Sequence, residues 1–413
     1  MSGVQAPADV ATAGGAVGAL RSTGAIRERA QALLARARAG ASTGFAVDDA
    51  ALKSAARTVA EFTRHRFPDL RIPYHSRWRH FEAGQVDRRA QLDALLGPVD
   101  LAERARTQID LALVSVLLDA GAGAAWRYAE AGSGQDFSRS EGLGVASFHA
   151  FTAGLFSSDP AQPLRVDAAG LAALTTATLG RAFQVSEGNP LVGLAGRVDL
   201  LQRLGKAMRG HAPVYGPAGR PGALYDALQA PTLQAHDILK TLLDTLSDIW
   251  PAGNAIGGIA VGDCWPHPDV PGPGLTAGWM PFHKLSQWLT YSLLEPFEWA
   301  GVKVGGLDAL TGLPEYRNGG LLVDAGVLRP LPADHATRTW QAGDEFIVEW
   351  RALTVALLDE IAPLVRAELN LQAQQLPLAC VLEGGTWGAG RLLAQRLRGG
   401  LPPFVIASDG TVF

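Results

Sequence analysis

The sequence predicts a mainly α-helical protein, and two observations carry that prediction. Six long stretches place apolar residues at i, i+3, i+4 and i+7, the period of one helix face. They are DDAALKSAARTVAEF, TQIDLALVSVLLDAG, LVGLAGRVDLLQRLGKAM, LQAHDILKTLLDTLSDIW, HKLSQWLTYSLLEPF and VEWRALTVALLDEIAPLVRAEL. Alternating, strand-like runs are scarce; the best is the C-terminal PPFVIASDGTVF, which reads as a small hairpin.

In chain order, residues 1–20 are rich in Ala, Gly and Val, lack a core pattern and are expected to form a disordered tail. AIRERAQALLARARAG then shows helical spacing ended by Gly40. Residues 21–413 are expected to form one helical catalytic domain, divisible into lobes at 21–190 and 191–413. Gly and Pro concentrate in residues 210–223 and 251–274, which read as loops.

Composition excludes several classes of function. With 413 residues and 47% hydrophobic content there is ample material for a core. The net charge of −4, without a basic stripe, argues against a nucleic-acid partner. No apolar run reaches the ~18 residues of a membrane span. Two cysteines, Cys264 and Cys380, are too few for a disulfide framework and suit a reducing cytosol. The expected setting is cytoplasmic.

Several segments carry more functional groups than a plain helical bundle needs. YHSRWRHFEAGQVDR brings Arg77 and His80 beside Trp78; it is either a charged connector or an oxyanion site, since guanidinium forks match phosphate and carboxylate. DAGAGAAWRY presents Trp126 and Arg127 after small residues, as a pocket floor or as a glycine-capped loop. DCWPHPD holds Asp263, Cys264, Trp265 and His267, but only Cys264 and His267 have a zinc-like spacing and no second pair follows. A structural loop with Asp263 and Trp265 facing a cleft is therefore expected, with no metal and no bound cofactor.

In HKLSQWLTYSLLEPF, Lys284, Gln287 and Tyr291 form a stripe beside the apolar one. Against 31 arginines there are five lysines, so Lys284 suits either a point-charge role or a snorkelling surface position. Glu349 and Arg351 lie within an apolar helix behind Asp344, where charges usually pair. LEGGTWGAGR reads as an anion cradle at a helix start, or as a helix with Glu383, Trp387 and Arg391 on one face and glycines allowing close packing. It matches neither a P-loop nor a dinucleotide fingerprint. LTGLPEYRNGGLLVDAGVL sets Glu315, Tyr316 and Arg317 in a row after Pro314, as a solvated turn or as a reactive corner at the mouth of a helix.

Taken in order, SRWRHFEAGQVDR, DAGAGAAWRY, SEGLGVASF (with Glu141), GLFSSDP, LVGLAGRVDLLQRLG, HKLSQWLTYSLLEP, LTGLPEYRNGGLL, VEWRALTV, LEGGTWGAGR and SDGTVF resemble the uracil catabolism protein 4 family, from about residue 20 onward. That resemblance implies a role in breaking down uracil through a ribosylurea-type intermediate. A more distant resemblance, over about residues 190–391, is to the queuosine 5′-phosphate N-glycosylases, helical proteins related to DNA glycosylases. Their KRAQ helix, ADYR corner with a GVL turn, EIRAAT helix and LDxxLWxxGR helix correspond here to HKLSQ, PEYR with GVL at 326–328, VEWRALT and LEGGTWGAGR. The corner Asp of that family is Glu315 here, one methylene longer.

These resemblances imply an N-ribosyl hydrolase with a glycosylase-like helical fold. Its small-molecule substrate is ribosylurea as the 5′-phosphate, cleaved to urea and ribose phosphate. Glu315 would stabilise an oxocarbenium-like transition state or activate water, and Lys284 would serve the ribose or phosphate. Arg77, His80, Trp126, Arg127, Glu141, Asp263, Trp265, Gln287, Tyr316, Arg317, Glu349 and Arg351 would bind substrate. Asn318 would cap the following helix, with Gly319 and Gly320 leaving room for the sugar. Asp263, Glu141 and Glu349 are the candidate proton donors to the leaving nitrogen. A ureide amidohydrolase, or a protein that binds the intermediate without turnover, are the other readings.

Overall fold

Every strongly periodic stretch becomes a helix. The computed structural model describes residues 9–251 and 253–407. Among these, twelve helices have eight or more residues. They are α1 (Ala13–Leu20), α2 (Thr23–Arg38), α3 (Asp49–Arg66), α4 (Arg88–Leu96), α5 (Leu101–Leu117) and α6 (Arg139–Thr152). The others are α7 (Leu194–Gly210), α8 (Ala235–Leu246), α9 (Lys284–Trp299), α10 (Tyr316–Asp324), α11 (Glu345–Leu369) and α12 (Trp387–Arg398). Side-chain caps fix several starts: Ser22 accepts from Ala25 N, Asp48 from Ala50 N and Ala51 N, and Asp100 from Glu103 N. Strands among the described residues are two or three residues long and pair only two at a time. The fold class is mainly α, as the periodicity predicts.

The chain divides into two compact units, each discontinuous in sequence. Of the described residues, one unit takes 9–74, 253–284 and 307–407, and the other takes 75–251 and 285–306. The boundary therefore does not fall at residue 190, because the chain leaves the first unit after Tyr74 and re-enters it twice.

In the first unit α11 is the central element, buried along most of its 25 residues and packed on α2 and α3. At its start, Phe346 stacks on Phe45 (4.5 Å) and Trp340 (4.4 Å), with Phe404 edge-on at 4.9 Å. One sequence expectation changes here. Residues 13–20 are not a disordered tail but α1, whose Ala16, Val17 and Leu20 pack against Ile256, Val261 and Cys264. So short a helix owes its stability to that docking rather than to propensity, which is why the sequence alone hides it. Val405–Ile406 pairs in parallel with Thr339–Trp340; the rest of the expected C-terminal hairpin, residues 408–413, lies outside the described residues.

LEGGTWGAGR adopts its helical reading. Leu382–Thr386 forms one π-helical turn that runs into α12. Its glycines permit backbone contact: a Cβ at Gly385 would lie 2.4 Å from Val59 Cγ1, at Gly388 2.3 Å from the Phe62 ring, and at Gly390 2.2 Å from the Arg317 carbonyl oxygen. Ala at Gly390 would gain up to ~1 kcal/mol in helix propensity. A contact with immobile backbone costs more, roughly 1–3 kcal/mol or above. Gly390→Ala should therefore lower the midpoint of urea unfolding with an unchanged m value; an unchanged or raised midpoint would contradict this packing.

The second unit is built around α5–α9. From Thr107 to Leu117, α5 is buried on all sides, as α9 is from Leu285 to Phe297. Both are enclosed by a core, with buried charges such as Asp110 and Glu295 paired to Arg220 and Arg79. The short turn Trp78–Phe81 is fastened to α9: Arg77 N donates to Ser292 Oγ (2.9 Å) and Trp78 Nε1 to the Ser292 carbonyl (2.9 Å). No helix among the described residues is long and apolar enough to cross a membrane.

Candidate active site

At the corner between Pro314 and α10, Glu315 has extended backbone (φ −116°, ψ 166°) and occupies the N-cap. Its carboxylate accepts from Arg317 N (2.9 Å) and Asn318 N (2.6 Å), two of the donors a helix start leaves unpaired. Asn318 is not the cap, because it already lies three residues inside the boundary. Its Nδ2 donates instead to the Leu313 carbonyl (3.0 Å), bracing the loop before the helix. Gly319 and Gly320 do not open space for a ligand; both are buried, and a Cβ at Gly319 would meet the Trp350 indole at 2.6 Å.

Arg317 does not pair with Glu315. Its side chain is 5% exposed, and its guanidinium carbon lies 4.9 Å from the ring centroids of both Tyr316 and Trp387. Nη1 is buried without a hydrogen-bond partner among the described residues. Arg391 approaches the same Trp387 ring at 5.7 Å. Glu383, on the π turn, accepts from Arg66 Nη2 at 2.6 Å. Tyr316 is partly exposed.

A second cluster in the same unit centres on Asp263. Arg351 grips it with both terminal nitrogens (2.9 and 2.8 Å), Trp265 Nε1 donates to it at 2.7 Å and Lys284 N at 3.0 Å. Burial would push this carboxyl up, but the Arg351 charge and the hydrogen bonds overcome it and hold it well below the usual carboxylate range. The guanidinium of Arg351 also lies 3.9 Å from the Phe282 ring centroid. DCWPHPD is not wholly a loop: Cys264–Pro266 pairs antiparallel with Trp279–Pro281, which turns Cys264 into the core. Burial pushes its thiol pKa well up, the opposite of a metal ligand's needs.

Lys284 follows His283, a non-glycine residue at φ 50° whose imidazole is buried, lies 3.1 Å from the Leu20 carbonyl and titrates at about 4 because burial disfavours its cation. Glu349 and Arg351, two residues apart on α11, do not face each other. Glu349 instead lines a cavity of about 470 Å³ with Thr43, His267, Asp269 and Asp344, and burial raises its pKa.

In the second unit, Arg77 is fully buried. Nε donates to Ser115 Oγ (2.6 Å), Nη1 lies 3.1 Å from Asp119, and the guanidinium carbon is 5.6 Å from the Trp288 centroid. Burial lowers its pKa against the opposing charges of Asp119 and Glu141. His80 stands edge-on to Trp288 at 5.7 Å, next to buried Gln287. Arg77 and His80 thus meet at Trp288, with Glu141 near enough to act on the Arg77 charge. Trp126 and Arg127 do not join them. Trp126 is enclosed in the core, its Nε1 donating to the Phe183 carbonyl (3.0 Å), and the exposed Arg127 folds back onto the carbonyls of Ala124 and Trp126. Trp288, Ser115 and Asp119 were not expected at this site. The signal for Ser115 is its hydroxyl within the apolar run of residues 111–118.

Fold and site together define a mainly helical protein whose candidate groups are carboxylates, guanidiniums and indoles. The chain belongs to the family described as "Protein of unknown function (DUF1688)", whose model matches residues 19–413. It is 40% identical over 402 residues to "Protein urg3" of Schizosaccharomyces pombe, covering 94% of this chain and 96% of that one. It is also 40% identical over 377 residues to "Uracil catabolism protein 4" of Lachancea kluyveri, covering 83% and 85% of the two chains.

Proposed function

We propose that this protein acts in uracil catabolism as an N-ribosyl hydrolase, cleaving ribosylurea 5′-phosphate with water to urea and ribose 5-phosphate. The observation that carries the reading is the corner of α10. There a carboxylate and a guanidinium sit two residues apart without neutralising each other. Glu315 is fixed by two backbone N–H groups, so its charge is preorganised toward a developing ribosyl cation. Arg317 is buried, stacked on Trp387 and Tyr316, and its charge is not paired with Glu315, which suits an anion such as the phosphate. The name of the Lachancea kluyveri relative supports the pathway.

Urea leaves poorly as an anion, so a proton donor belongs in the mechanism. Asp263 is held as a carboxylate by Arg351, whereas burial favours the proton-bearing form of Glu349, which makes Glu349 the better donor of those two. The test is incubation of purified protein with ribosylurea and with its 5′-phosphate, following urea and free reducing sugar together. The expected result is equimolar release of both, with kcat/KM clearly higher for the phosphate. Release of ammonia in place of urea would replace this reading with a ureide amidohydrolase. Equal kcat/KM for the two substrates would remove the phosphate from the proposal.

A further inference from the structure

The eight residues of α1 include Gly14, Gly15 and Gly18, and a segment so short and so rich in glycine does not hold helical form unaided. No charged residue lies between Asp9 and Arg21 to tie it down by ion pairs. What orders it is one stretch of chain, residues 256–283. Leu275 N donates to the Val10 carbonyl (3.0 Å), and Arg21 Nη2 donates to the Ala260 carbonyl (3.1 Å). Between these ends, Ala16, Val17 and Leu20 close over Ile256, Val261 and Cys264. Two glycines admit the close approach: a Cβ at Gly257 would lie 2.5 Å from Ala13 Cβ, and one at Gly274 2.6 Å from the Val10 carbonyl oxygen.

One further link joins α1 to the Asp263 cluster. The Leu20 carbonyl, at the last residue of α1, accepts from His283 Nε2 (3.1 Å). His283 stands at φ 50°, a left-handed conformation that costs a non-glycine residue free energy and persists only where its surroundings hold it. The turn made there brings three successive N–H groups onto Asp263. Phe282 and His283 donate to its carbonyl oxygen (2.9 and 3.1 Å), and Lys284 donates to its carboxylate (3.0 Å). The same stretch is also anchored from α2, by Arg29 on Thr276 (3.1 Å) and Arg36 on Asp269 (2.9 Å), but these anchors lie elsewhere along it.

We propose that α1 is a detachable strap: it docks and undocks while α2, α3 and α11 stay folded, and when docked it holds the 282–284 turn on Asp263. His283 is the tether between the two. Undocking removes the Leu20 carbonyl from His283, frees the turn from its left-handed conformation, and uncovers Cys264. The proposal stands on these contacts and does not require the N-ribosyl reading.

The two cysteines report on the strap in the wild-type chain. Cys264 lies under α1, whereas Cys380, also buried, sits on the Leu378–Val381 turn against α11. The full chain is labelled with N-ethylmaleimide in urea below its unfolding transition, and each site is followed by mass spectrometry. Cys264 should react about tenfold or more faster than Cys380 and with a weaker dependence on urea, because opening one short helix exposes less surface than opening the core. The same rate and the same urea dependence at both cysteines would overturn the proposal, whatever the variants do. Val17→Asp sets a charge against the apolar contact and should speed Cys264 labelling by about tenfold or more. His283→Gly keeps the left-handed backbone but removes the tether, and should speed it by about fivefold. Both variants should raise amide exchange at residues 282–284 and leave α11 protected. Faster labelling of Cys264 with 282–284 still protected would overturn the link between α1 and the turn.

Discussion

Replacing Glu315 with Gln is expected to lower kcat by ~10²–10³, roughly 3–4 kcal/mol of transition-state stabilisation, with much less effect on substrate binding. Gln has the same length, and its carbonyl oxygen can still accept one of the two backbone bonds that Arg317 N and Asn318 N now give the carboxylate. The helix start is therefore largely kept while the negative charge is removed. If Glu315 served only as a cap, the substitution would cost about 1 kcal/mol of stability and leave turnover per folded molecule near wild type. The two outcomes are far enough apart to decide between the roles, provided rates are normalised to folded protein. Glu315→Asp separates charge from reach: Asp is itself a good cap, and partial activity there beside near-silence in Gln would mark the carboxylate as the working group. A Gln variant within about threefold of wild-type kcat would take Glu315 out of the mechanism.

The helices were legible because a 3.6-residue period survives in the sequence whatever the tertiary context. Even Pro296 and Pro363, inside α9 and α11, do not break them. What the sequence hid was docking. Residues 13–20 carry almost no amphipathic signal, and only the apolar surface around Ile256, Val261 and Cys264 makes them a helix. At the site, residue types were legible and partnerships were not. Arg317 and Glu315 look like an ion pair in sequence, yet each is committed elsewhere, one to aromatic rings and the other to backbone N–H groups. Asp263 and Arg351 are 88 residues apart and form the closest two-point pair among the candidates. Arg127, so suggestive beside Trp126, spends its donors on its own loop. Spacing along the chain constrains local geometry, whereas long-range pairing depends on the packing of the helices.

Asp263→Asn is expected to be among the most damaging single substitutions for stability. Arg351 is 1% exposed and Asp263 9%, and the amide cannot return the charge that the guanidinium needs. Removing one charge of a buried ion pair typically costs about 3–5 kcal/mol, a large part of the 5–15 kcal/mol that holds a domain folded. The double variant Asp263→Asn, Arg351→Met removes both charges and should recover most of the loss, because the desolvation cost of the pair disappears with it. A double variant as unstable as Asp263→Asn would assign the damage to Trp265 and Lys284 N, the other donors to Asp263, instead of to the ion pair. The acid limb gives an independent check. The folded pKa of Asp263 is depressed, so its stabilisation is fully present above the unfolded value of about 3.9 and is lost as pH falls below it toward the folded value. The stability gap between wild type and Asp263→Asn should therefore be constant above pH ~5 and narrow below pH ~4. A gap that stays constant to the lowest pH at which wild type remains folded would mean that the carboxylate charge is not what Arg351 holds.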